Sequence, residues 1–125
     1  MNNILFVAAG GALGSVLRYL LSSNIYTWFG RAMPWGTLAV NVIGSFAIGL
    51  LSILLVEKFN VPQEWRLGIV VGVLGGFTTF SAFSWDTLDL MQQGLTLKAM
   101  LNVLANVVMC IVAAWLGALW AKSFV

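Results

Sequence analysis

Four long apolar stretches, separated by connectors of only a few residues, leave this chain almost no way to fold except across a membrane. A spanning helix needs about 20 mostly apolar residues. Stretches that satisfy this run over residues 3–28, 35–56, 65–91 and 97–121. The connectors between them are Gly30 to Pro34, Glu57 to Glu64 and Gln92 to Thr96. Hydrophobic residues make up 61% of the 125 and charged residues 8%, whereas a soluble domain carries about 25% charged residues. So few charges cannot coat a surface that faces water. Residues 1–125 are therefore expected to form one all-α membrane domain with four transmembrane helices.

Local signals agree with these spans. Pro34 is a helix-start residue, and Glu57 and Lys58 close the second stretch. Trp28, Trp35, Trp65 and Trp120 fall at expected span ends, where indole rings favour the membrane interface. The first stretch differs from a signal peptide because no Lys or Arg precedes Ile4 and its apolar run exceeds an h-region. Four spans place both termini on one side. That side carries Lys58, Arg66 and Lys122, and the other carries Arg31 and Lys98, with Arg18 inside the first span. Three cations against two give almost no positive-inside bias. A chain of this kind can insert both ways up, and four short helices enclose little volume alone. A homodimer is expected, antiparallel if both orientations coexist and parallel otherwise.

Several chemistries are excluded. The sequence has no His, its carboxylates are Glu57, Glu64, Asp86 and Asp89, and no Gly-rich phosphate loop with its Lys occurs. Triad catalysis is therefore ruled out, and no enzymatic constellation is visible. The lone Cys110 allows no internal disulfide, and without His a transition-metal site has too few ligands. Six scattered Lys and Arg form no basic run, so no nucleic-acid partner is expected.

The third span is unusual. Gly68, Gly72 and Gly76 form a small-xxx-small ridge that would let a neighbouring helix approach. The adjacent pair Gly75–Gly76, followed by Thr78 and Thr79, also reads as a weak point. Glycines loosen a helix, and threonine hydroxyls can capture the backbone groups that a break frees. Unwound backbone at membrane depth is tolerated only where it lines a cavity or is buried in protein. A third helix broken mid-membrane, somewhere over Gly75 to Ser81, is the resulting expectation.

Uncharged hydrogen-bonding groups recur inside the other spans. Asn41, Ser45 and Ser52 share a similar face of the second, and Asn102, Asn106 and Cys110 lie at i, i+4 and i+8 on the fourth. Ser81 and Ser84 sit among Phe77, Phe80 and Phe83. One reading is interhelical glue. The other is a polar track for a small anion, because amide and hydroxyl donors and the positive edges of phenylalanine rings can all face negative charge. Arg18 adds a fixed cation, either at such a path or as a snorkelling structural residue.

The segments Gly10-Gly11-Ala12-Leu13-Gly14 to Arg18-Tyr19, Gly36-Thr37-Leu38 with Asn41 and Gly44, and Gly75-Gly76-Phe77-Thr78-Thr79-Phe80-Ser81 to Phe83-Ser84 resemble the Fluc (CrcB) fluoride channels over essentially the whole chain. The resemblance implies an antiparallel, dual-topology homodimer in a prokaryotic plasma (inner) membrane, surrounded by lipid. It would passively export fluoride through two narrow pores and confer fluoride resistance. It also implies a structural sodium ion at the dimer centre, held by the backbone carbonyls of Gly75 and Thr78. Phe80 and Phe83 match the family's pore phenylalanines, Asn41 its pore asparagine and Arg18 its first-helix arginine. Ser81, Ser84 and Asn106 complete the expected anion path. Three positions depart from the family pattern: Ala82 where Thr is common, Asp86 where Glu is common, and Cys110 in place of a serine. A proton-coupled drug exporter would need an acid in the first span, where this chain has Arg18. An assembly subunit that transports nothing is the remaining alternative.

Overall fold

A computed structural model describes residues 2–125 and shows helices over Asn2–Phe29, Trp35–Lys58, Gln63–Gln92 and Thr96–Lys122, each long and apolar enough to cross a membrane. These limits differ from the sequence expectation by no more than two residues at any end. Pro34 precedes the second helix, and its carbonyl accepts the first helical bond, from Leu38 N–H at 3.2 Å. The first and third helices each end on a left-handed glycine, Gly30 (φ 79°) and Gly94 (φ 78°), a backbone conformation that side chains resist. Large apolar side chains such as Ile4, Leu97 and Ile111 are more than two-thirds exposed. In water that surface would drive aggregation, whereas among lipid tails it is the matching exterior. The chain is a multi-pass membrane protein.

The four helices associate as two pairs. The second packs along the fourth, and the first packs against the N-terminal half of the third. The buried stripe of the fourth helix includes Ala99, Asn102, Asn106, Ala113, Gly117 and Ala121, small or polar residues at spacings of three, four and seven. In a membrane, close packing and hydrogen bonds hold helices together, since lipid is as apolar as leucine. This stripe supplies both.

The crossing of the first and third spans uses the glycine ridge. The third span starts as an α-helix at Gln63–Arg66 and widens into a π-helix over Leu67–Leu74. Bonding five residues back brings residues four and five apart onto one side, which keeps Gly68 and Gly72 facing the first helix. The contact is backbone to backbone. A Cβ on Gly14 would collide with the Val73 carbonyl, and one on Gly72 would lie 2.9 Å from the Gly10 Cα. Gly76 continues the ridge, 2.7 Å from the Gly11 carbonyl by the same measure. The packing reading of these glycines therefore holds for all three. At the outer end, the Phe6 and Trp65 rings meet edge to face at 4.9 Å.

Gly14→Ala should destabilise the detergent-solubilised protein by about 1–3 kcal/mol, because nothing at the crossing can yield except backbone. Gly11→Ala, which meets no atom within 4 Å, should stay within about 0.5 kcal/mol of the unsubstituted protein. Chemical or thermal unfolding of the two variants side by side checks this.

Candidate functional site

An uninterrupted α-helix passes each N–H to the carbonyl four residues back. Thr78 still does so, with its N–H on the Leu74 carbonyl at 3.0 Å and its hydroxyl on the same oxygen at 3.0 Å. The backbone then turns extended for two residues, Thr78 at φ −84°, ψ 160° and Thr79 at φ −152°, ψ 117°, before helix resumes over Phe80–Gln92. Gly75 and Gly76 themselves remain helical. The extended residues are the β-branched threonines, whose side chains suit that region better than a helix.

Two of the bonds lost across this segment have substitutes. In a continuous helix Thr79 N–H would bond the Gly75 carbonyl; here it donates to Asn41 Oδ1 at 2.8 Å. The Asn41 amide nitrogen donates back to the Thr79 carbonyl at 3.0 Å, so one side chain from the second helix satisfies both backbone groups of Thr79. The Ala82 N–H would bond the Thr78 carbonyl; here it donates to Thr79 Oγ1 at 3.0 Å, an N-cap for the following helix. The carbonyls of Gly75 and Thr78 are thereby relieved of the partners a continuous helix would give them.

Asn41 is itself held in place. Its second amide hydrogen goes to Asn106 Oδ1 at 3.0 Å. Asn106 donates to the carbonyl and Oδ1 of Asn102, at 2.9 and 3.1 Å. Asn102 donates to Thr87 Oγ1 at 2.9 Å, and the Thr87 hydroxyl ends the series on the Phe83 carbonyl at 2.8 Å. Asn102 and Asn106 are only 1% and 5% exposed. At that burial, an unmatched amide would cost about 1–3 kcal/mol. Among the described residues no buried side-chain nitrogen or oxygen lacks a partner.

A cavity of about 410 Å³ opens beside the extended segment. Asn41, Asn106, Phe80, Phe83 and the two residues Gly75 and Thr78 all line it, as do Ser45 and Cys110. The Phe80 and Phe83 rings meet edge to face at 5.2 Å. Phe83 is buried, whereas Phe80 is 77% exposed, an uncovered aromatic beside a polar wall. The structure thus brings together six of the nine residues expected to face the anion or sodium.

Arg18, Ser81 and Ser84 lie elsewhere. Arg18 lines a separate cavity of about 240 Å³ together with Tyr26 and Thr37, and Thr79 forms a wall common to both spaces. Ser81 and Ser84 are exposed, one helical step around from Phe80 and Phe83. The Ser81 hydroxyl lies 3.3 Å from Thr79 Oγ1, and Ser84 donates to the Phe80 carbonyl at 3.0 Å. Sequence reasoning gave no role to Thr37 or Asp86. The Thr37 hydroxyl donates to Asp86 Oδ2 at 2.7 Å, tying the second helix to the third. Only the crossing geometry reveals that pair, since the two residues lie 49 positions apart.

Known proteins resemble this chain along most of its length. The family model described as CrcB-like protein, Camphor Resistance (CrcB), matches residues 5–118. A fluoride-specific ion channel FluC from Magnetococcus marinus is 53% identical over 114 residues, covering 91% of this chain and 93% of the relative. The protein of the same name from Geobacter sulfurreducens is 51% identical over 123 residues, covering 98% and 99%. One from Methylococcus capsulatus is 48% identical over 98% of this chain, which spans 54% of that longer relative. With the family model matched along most of its length and relatives about half identical from end to end, the chain belongs to the CrcB-like family of ion-channel proteins, which are not enzymes.

Proposed function

We propose that the chain is the subunit of a fluoride-selective channel that passively exports fluoride across a prokaryotic inner membrane. The observation that carries the reading is the two-bond pairing of Asn41 with Thr79 beside Phe80 and Phe83 in one cavity. The names of the relatives supply the identity of the ion. The extended residues sit near the middle of the third span, Thr78 being fifteen residues after Gln63 and fourteen before Gln92. That centring supports a break at mid-membrane, where interrupted backbone needs a protein-lined cavity.

In this reading the phenylalanine edges face the anion, and the Arg18 charge raises its local concentration. The Asn41 amide hydrogens are both engaged, so Asn41 shapes the path by fixing the backbone at Thr79. The open Phe80 ring, together with exposed Ser81 and Ser84, supports completion of the pore by a second copy. The weak charge bias supports an antiparallel arrangement of the two. The carbonyls of Gly75 and Thr78 are hard oxygen donors without helical partners, a set that fits sodium. A two-fold axis would double the two to four. When bound, sodium would supply fixed positive charge at the dimer centre; Asn41 keeps the Gly75 carbonyl released and the Thr79 hydroxyl keeps the Thr78 carbonyl released.

Liposomes carrying the purified protein, with valinomycin and a potassium gradient, should release fluoride rapidly and chloride negligibly on ion-selective electrodes. Asn41→Asp keeps the acceptor for Thr79 N–H and loses both donors, so fluoride release should fall by about tenfold or more. Absence of fluoride release from folded wild-type protein would return the chain to an assembly role.

Exchange of all sodium for N-methylglucamine should reduce fluoride release, and sodium added back should restore it. Unchanged release after exhaustive exchange would remove sodium from the proposal.

A further inference from the structure

We propose that Tyr26 is a gate between the Arg18 cavity and the membrane-surface vestibule, held closed by Arg31. The vestibule, of about 290 Å³, is lined by Arg31, Asp86, Asp89 and Lys98 among others. Its shared boundary with the Arg18 cavity is Tyr26, the one residue that lines both. Thr79 in turn forms the wall between the Arg18 cavity and the central one. The three spaces therefore form a series from the connector between the first two helices to the interrupted backbone, with one aromatic ring across its outer junction.

Three contacts define the closed position of that ring. A Cβ on Gly36 would lie 2.5 Å from the Tyr26 Cε2 and 2.9 Å from its Cδ2, so the ring occupies space that only glycine leaves open. The phenol oxygen is 3.4 Å from Thr37 Oγ1, whose own proton is committed to Asp86. The Arg31 guanidinium carbon stands 4.5 Å from the ring centroid, on the vestibule side. Of the three, only the arginine belongs to the connector rather than to a helix, and it is exposed.

That arrangement couples opening to the ion. A cation over an aromatic face is a weaker contact than a guanidinium hydrogen-bonded to an anion. An anion in the vestibule competes with the ring for Arg31, and a ring relieved of its cation keeps the Gly36 packing and a long hydroxyl contact. Arg31 and Lys98 attract the anion and Asp86 and Asp89 repel it, so the charged lining is formally neutral and does not trap the ion. Tyr26 then turns aside and the two spaces become one.

This inference rests on the channel reading for its consequence, and its own test does not. Ser22 lines the Arg18 cavity, so Ser22→Cys in a Cys110→Ser background places a single thiol behind the ring. A negatively charged methanethiosulfonate reagent cannot reach it through lipid. Tyr26→Ala should speed labelling by about tenfold and Tyr26→Phe, which keeps the ring, should leave it within about twofold. Should Tyr26→Ala not assemble, Tyr26→Val carries the same comparison. Equal labelling rates with and without the ring would overturn the gate, whatever the fluoride flux. Fluoride efflux from the unsubstituted protein separately decides whether the channel reading stands.

Discussion

A peptide group cannot be left bare in hydrocarbon, and the pairing of Asn41 with Thr79 is how this fold meets that constraint. The N–H of Thr79 leaves the helical ladder, and the carboxamide that takes it also donates to the Thr79 carbonyl. The rest of the arrangement follows. The second helix must approach the third closely enough for bonds of 2.8 and 3.0 Å. The fourth must lie along the second so that Asn106 fixes which end of the Asn41 amide faces which group. The first must hold the N-terminal half of the third still, which the glycine contact at Gly10, Gly14 and Gly72 accomplishes.

The asparagines unite two readings that the sequence left apart. Interhelical hydrogen bonds in membranes average about 0.6 kcal/mol each, so as glue alone the series would be modest. Its larger effect is to fix geometry. A satisfied polar network specifies one arrangement, whereas one missing partner leaves a buried group to be matched by nothing. The residues that join the helices also order the candidate site: Asn102 and Asn106 hold Asn41, and Asn41 holds both backbone groups of Thr79 beside Phe80 and Phe83.

Span positions were legible because length and hydropathy alone decide what can cross a bilayer, and Pro34 marks a boundary locally. The i, i+4 spacing of Asn102 and Asn106 was equally plain, since it depends on one helix. What joins elements was not. The link from Asn41 to Asn106 spans 65 positions and depends on how two helices cross. The glycine pair stays helical, and the extended residues are Thr78 and Thr79. Gly76 faces the Gly11 carbonyl, a packing duty that favours continued helix there. The wide turns at Leu54–Lys58 and Leu67–Leu74 left no mark in the residue pattern. Arg18 was visible as a charge inside a span, but its separation from the central cavity by Thr79 was not.

Every bond from Asn41 through Asn106, Asn102 and Thr87 to the Phe83 carbonyl is donated in the same sense. The series therefore has a polarity, like a sentence that reads in one direction. Turning a single amide around would set donor against donor on one side and acceptor against acceptor on the other. Divergence along this stripe is consequently constrained in grammar as well as in size. A serine or glutamine tolerated at one position requires its neighbours to agree on who gives the proton. Descendants of this sequence should change these positions together, or leave them alone.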